Sequence, residues 1–333
     1  MSSNYSLETN ASGWANHSSQ YTNSFSYFFK ALITVDSTFA VAGTLINVWF
    51  LAALLLSPEI RARIRNKVIC GMLVVNLTEA AILCPLSIVR LASVLLGVHD
   101  RLDCYFETAY DIIYHIDDFL GNWFLVILLG VNTVQLTNIR PIVTPLWTKM
   151  LTALIFVTPC VFILLFVPLT MEGYYHGGKR CLTSTFQLIK VYISLDTAVP
   201  LILSVILLVM AAVIKCRRYL QGRSSRSLRV QLIDDESQVD PLHPFVAVFV
   251  TVVASDFCLM VASINPNIYN GLGTHYMIAM YITFITLTYV RLVFVPVMLL
   301  LFRDIRERIK IWRPCRRSAL RADLVVTYQK NTS

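Results

Sequence analysis

The chain has 333 residues, 56% of them hydrophobic and 14% charged, with 28 Lys and Arg against 20 Asp and Glu. A soluble globular domain carries about 25% charged and about 45–50% apolar residues, so a water-soluble fold is excluded, as are disordered, collagen-like and disulfide-framework chains. What is left to decide is how often the chain crosses a membrane.

Residues 1–27 are polar, rich in Ser, Asn, Thr and Tyr, and hold no Lys or Arg. They lack the positive start and apolar centre of a signal peptide. Three Asn-x-Ser sequons, at Asn4, Asn10 and Asn16, predict an exterior, glycosylated tail. The sequons at Asn76 and Asn331 fall in a span and on the cytosolic side, and are set aside. Seven long apolar stretches follow, at 28–56, 68–94, 107–138, 150–171, 188–214, 244–264 and 276–301. A spanning helix needs about 20 apolar residues. A barrel would show short alternating strands, and these runs are continuous. The predicted fold is an all-α bundle of seven spans over 28–301, followed by a tail over 302–333.

Orientation follows from Lys and Arg. The loops after the first, third and fifth stretches and the tail hold 21 of them, against six on the other side. Positive residues stay in the cytoplasm, so the N-terminus is predicted outside and the C-terminus inside, in the cell membrane. The basic balance is thereby accounted for, and no nucleic-acid partner is needed. The loop carrying Lys215, Arg217, Arg218, Arg223 and Arg226 would bind anionic membrane lipid or dock a cytosolic protein. Ser224, Ser225, Ser227 and Ser318 beside these arginines are candidate phosphate acceptors.

Of eight cysteines, only Cys104 and Cys181 fall at exterior ends or loops. The exterior is oxidising, so this pair can bond. Cys315, in Trp312-Arg313-Pro314-Cys315-Arg316-Arg317, reads equally as a palmitoylation site or a free thiol. No Cys/His spacing suggests zinc, and no metal or cofactor is expected.

Ionisable groups at membrane depth are costly and are functional candidates by default. Here they are Asp36, Glu79, Asp111, His115, Asp117, Asp118, Asp196, Asp256 and Arg291. Asp111, His115, Asp118 and Asn122 recur at helical spacing, on one face that must look into the bundle. Asp117 points about 100° away, toward a neighbouring helix. Two readings stay open: interhelical hydrogen bonding with some acids protonated, or a net-acidic cavity for a cationic ligand. His115 near Asp118 imitates a catalytic dyad, but no nucleophile, base and orienting group are arranged together, and an enzyme is not expected.

The seven spans, the exterior N-terminus, Cys104 atop the third span and Cys181 before the fifth resemble a rhodopsin-like (class A) G-protein-coupled receptor over about 28–318. Asn47, Asn66, Asn76, Pro85, Pro200 and Pro296 fall in the family's order, and 302–309 is similar to its short amphipathic eighth helix. The switch motifs differ. Val131–Leu136 stands near the family's Asp-Arg-Tyr, with the third-span register open by about a turn. Ser255–Met260 replaces Cys-Trp-x-Pro, and Val295–Leu299 replaces Asn-Pro-x-x-Tyr.

The resemblance implies an extracellular ligand and an intracellular heterotrimeric G protein. It also implies that Asp111 pairs with a ligand ammonium, supported by Tyr289, with His115 and Asp196 facing the same cavity; a basic peptide is the alternative ligand. In the family a sodium ion often sits mid-bundle, held by an acid at the position of Asn76. By that likeness Arg291 is expected in the sodium position, paired with Asp118, with Asn47 nearby and Asn76 hydrogen-bonded to one of them; Glu79 and Asp256 are the alternative acids. Two other functions remain open: a receptor-shaped protein without G-protein coupling, and a transporter using its intramembrane acids.

Overall fold

The computed structural model describes residues 11–61, 63–98, 104–137, 150, 153, 157–161, 164, 171–176, 179–184, 194–224, 241–264 and 274–311. Helix α1 (Ala11–Leu55) already begins inside the polar tail. A short helical turn, Pro58–Arg61, precedes α2 (Ile64–Leu95). Then come α3 (Cys104–Leu136), α4 (Val199–Ser224), α5 (His243–Ile264), α6 (Thr274–Leu299) and α7 (Arg303–Ile311). Among the described residues five helices are long and apolar enough to cross a membrane: Ser26–Leu55, Ile64–Leu95, Tyr105–Leu136, Asp196–Leu220 and Ile282–Leu299. His243–Ser255 is a shorter apolar helix.

The all-helical expectation needs one amendment. Strands β1 (Met171–His176) and β2 (Lys179–Ser184) pair antiparallel, with Tyr174 opposite Cys181. Between them the sequence reads Gly177-Gly178, a pair that favours tight hairpins. Two strands can satisfy each other's backbone only over the length they share, which suits a loop rather than a span.

Prolines shape two helices. Proline removes a backbone donor and crowds the carbonyl four residues earlier. In α2 the turn before Pro85 loosens into a π-helical segment, Glu79–Leu83. Before α4 another π-helical turn, Ser194–Ala198, precedes Pro200. Helix α2 ends at Gly97, which takes φ 67°, and Val98 N–H closes back on the Ser93 carbonyl at 2.9 Å. Glycine adopts that left-handed cap without a side-chain penalty.

Hydroxyls on α1 need no outside partner. Thr34, Ser37 and Thr38 donate to carbonyls one turn earlier, at 2.8, 2.6 and 2.8 Å. Such bonding lets polar side chains sit in an apolar helix.

Helix α1 packs on both α2 and α6; α2 packs on α3, α3 on α4, and α6 on α5. A close approach is at Gly43 of α1. A Cβ there would stand 2.9 Å from Ala80 Cβ and 3.3 Å from Leu292 Cβ. Four residues on, the fully buried Asn47 donates from Nδ2 to the Gly43 and Leu292 carbonyls, both at 2.8 Å. The main apolar core lies toward the end of the bundle where α7 folds beneath it. There Phe50, Ile69, Leu128, Phe245, Leu299 and Phe302 pack together.

Candidate functional site

Midway along the bundle, α2, α3 and α6 meet through charges. Glu79 opens the π-helical turn of α2. Arg291 of α6 donates to its Oε2 twice, from Nε at 3.0 Å and from Nη2 at 2.8 Å. Arg291 Nη1 also stands 3.6 Å from Asp118 Oδ1 of α3. Glu79 and Arg291 are 4% and 5% exposed. Gly121, one turn after Asp117, lies beside the guanidinium; a Cβ there would make ordinary contact with Arg291 Nη1 at 3.6 Å.

The expected pairing is therefore corrected. Glu79, not Asp118, takes the two hydrogen bonds, and Asp118 is the second, longer partner. Asn76 does not join them: its buried Nδ2 has no hydrogen-bond partner. The reason lies in the π-helical turn, which adds a residue to one helical loop and re-aims Glu79. Asp117 is 3% exposed and lies within electrostatic reach of Glu79, Arg291 and Asp118. Its buried Oδ2 and the Nδ2 of Asn122 have no hydrogen-bond partners. Arg291 thus stands between the carboxyls of Glu79 and Asp118, with Asp117 within electrostatic reach.

Toward the other end of α3 lies a second polar group. Arg90 of α2 pairs with Glu107 Oε2 at 3.0 Å and lies 5.2 Å from the Tyr110 ring centre. Asp111 is half-buried within reach of Arg90 and His115. Tyr110 stacks on Tyr114 at 6.4 Å, and Tyr114 meets His115 edge-on at 5.8 Å. Asp196 is buried and lies within electrostatic reach of Tyr114, as Asp118 does.

Tyr289 departs from expectation. Its ring tilts against Phe39 of α1 at 5.8 Å, and it lies within electrostatic reach of Cys84 of α2. It stands near Asp36, Tyr110 and Glu79 rather than supporting Asp111. Asp36 itself is 1% exposed, with its Oδ2 left without a partner.

Where α7 meets the turn before α2 there is a third cluster. Asp304 Oδ2 accepts from Arg63 Nη1 at 3.3 Å, from Asn66 Nδ2 at 3.3 Å and from Arg65 Nη2. On the exposed side of α7, Arg303 donates to Glu307 at 2.8 Å, and this bond raises the Arg303 pKa above its ordinary value.

Sequence reasoning missed the Arg90–Glu107 pair and the role of Asp304. Only the last had a visible signal, an acid in the first turn of a basic helix. Asn4, Asn10 and Cys315 lie outside the described residues, as do the side chains of Asn16, Cys104, Cys181 and Asp256. No protein-family model matches this chain, and no curated protein matches it in sequence.

Proposed function

We propose that the chain is a divergent rhodopsin-like receptor of the cell membrane, with seven spans, its N-terminus outside and its C-terminus inside. It binds an extracellular ligand and signals to a heterotrimeric G protein. The observation that carries this reading is the mid-bundle network of Glu79, Arg291 and Asp118. It ties three helices at the depth where a ligand-driven shift of α3 must pass inward. Two marks of the resemblance support it. Asn47 of α1 reaches the backbone of the helix that carries Pro296. That helix turns at once into the amphipathic α7, through Phe302 N–H to the Leu299 carbonyl at 3.1 Å.

The ligand is a small amine or a basic peptide. Around the second polar group two carboxyls, Glu107 and Asp111, face one guanidinium, Arg90. The balance is acidic, so a cation is favoured there even though Arg90 shares the site. To act, the ligand must bind two arrangements of α3 with different affinity. Movement of α3 would change the Asp118–Arg291 contact first, because it is the longer of the two ion pairs.

One observation favours a second reading, a receptor-shaped protein that does not couple. Near the end of α3, Asn132 is 1% exposed and both its amide atoms lack hydrogen-bond partners. The family's acid–arginine pair has no counterpart there.

The deciding experiment expresses the full chain with a promiscuous G protein and reads calcium against panels of amines and basic peptides. A response lost in Asp111→Asn, with surface delivery intact, is the expected result. Silence across the panels with normal delivery would favour the uncoupled reading. Radiolabel uptake into vesicles would reveal a transporter instead.

A further inference from the structure

We infer that Asp304 and Phe302 form a latch that clamps the start of α5, and that opening it frees that end of α5 to move. The latch begins with a buried arginine. Arg65 is 1% exposed although it stands in the first turn of α2, where an arginine ordinarily reaches for water. Its Nε donates to Asn66 Oδ1 at 2.9 Å, its Nη2 donates to Asp304, and its guanidinium lies 4.6 Å from the Phe302 ring centre. Asn66 Nδ2 also donates to the Ile60 carbonyl at 2.9 Å, which fixes the preceding turn. Asp304 sits in the first turn of α7, where the helix dipole favours a carboxylate.

Phe302 carries this fastening across to α5. It is fully buried, and while one face takes Arg65, its ring meets Phe245 nearly perpendicular at 5.0 Å. Phe245 is fully buried two residues after α5 begins. Pulling that end of α5 outward would expose both rings. Arg65 would also lose a wall of the site that makes its burial tolerable.

Among the described residues, α3 and α5 offer each other no charged fastening. From Asn122 to Thr137 the third helix contains no ionisable residue, and from His243 to Ser255 the fifth contains only His243. An ion pair between the facing ends of α3 and α5 is therefore limited to that exposed histidine, with no acid opposite it on α3. The charged contact lies instead between α2 and α7, and reaches α5 through the Phe302–Phe245 contact.

The test needs neither ligand nor G protein, so its failure would leave the receptor reading standing. Spin labels are placed at the exposed positions His243→Cys and Thr137→Cys, in a Cys216→Ser, Cys315→Ser background of the full chain in lipid nanodiscs. Electron–electron resonance then reports the distance between α5 and α3. The latch predicts one short-distance population in the parent. It predicts an open-to-closed ratio raised about ten-fold or more in Asp304→Asn and in Phe302→Leu, as expected for losing a charge-assisted bond or its wall. Arg303→Gln, which breaks only the exposed pair with Glu307, should leave the distances unchanged. If Asp304→Asn or Phe302→Leu does not fold, Arg65→Lys decides. It keeps the charge but loses the planar fork and the stacking, and should open α5 likewise. Unchanged distances in the folded variants would overturn the latch.

Discussion

Replacing Arg291 by Ala is the sharpest perturbation of the mid-bundle network. The guanidinium makes two charge-assisted bonds to Glu79 and a 3.6 Å contact to Asp118. Its removal strands Glu79, which is 4% exposed, beside Asp118 with no cation between them. Deleting one member of a buried pair costs about 3–5 kcal/mol, because the survivor keeps its desolvation penalty without its partner. That corresponds to a loss of about 150-fold or more in the folded-to-unfolded ratio. Glu79→Gln keeps the shape and one acceptor, and leaves Arg291 with Asp118, so its expected cost is about 1.5–3 kcal/mol. Asp118→Asn removes only the longer, partly exposed contact and should cost about 1 kcal/mol or less. The double variant Glu79→Gln with Arg291→Gln removes both charges and should be more stable than Arg291→Ala alone. Denaturant unfolding of the purified protein in detergent, read beside surface delivery in cells, gives the order of the four. The reasoning fails if Asp118→Asn costs as much as Glu79→Gln, or if Arg291→Ala is neutral.

Three further outcomes are expected. Gly43→Ala forces a Cβ to within 2.9 Å of Ala80 Cβ, and should cost about 1–3 kcal/mol in thermal unfolding. Adding Ala80→Gly should recover most of that loss, and no recovery would mean that the strain lies elsewhere. Asn47→Leu removes the bond from α1 to the Leu292 carbonyl; interhelical bonds in membranes average about 0.6 kcal/mol and reach about 1.7, so a loss within that span is expected. Exchanging sodium for N-methylglucamine at constant ionic strength should leave the unfolding midpoint unmoved, because the Arg291 guanidinium already lies between Glu79 and Asp118. A sodium-specific shift would show that a cation still enters the network.

Much of the architecture was legible in the residues because a bilayer imposes its thickness on any helix that crosses it. The apolar runs near 28–56, 68–94, 107–138, 188–214 and 276–301 each meet a helix of membrane length, although α1 starts well before its run and α6 contributes only Ile282–Leu299. Proline positions were readable too, and they account for the π-helical turns before Pro85 and Pro200. That Glu79, Asp118 and Arg291 needed partners inside the protein followed from the cost of charge in lipid.

Which partner each one takes was decided only in three dimensions. Helical periodicity assumes a constant turn, and the π-helical segment Glu79–Leu83 breaks it just where Glu79 must be aimed. Tyr289 turns to Phe39 because α6 lies against α1, an adjacency that hydropathy does not encode. Arg65 and Asp304 stand 239 positions apart and meet only because α7 folds back beneath the bundle. Composition and spacing determine that a charge is buried and on which face of its own helix. Its counter-charge comes from another helix, so it is set by how the helices pack, and packing depends on side-chain shapes distributed over the whole chain.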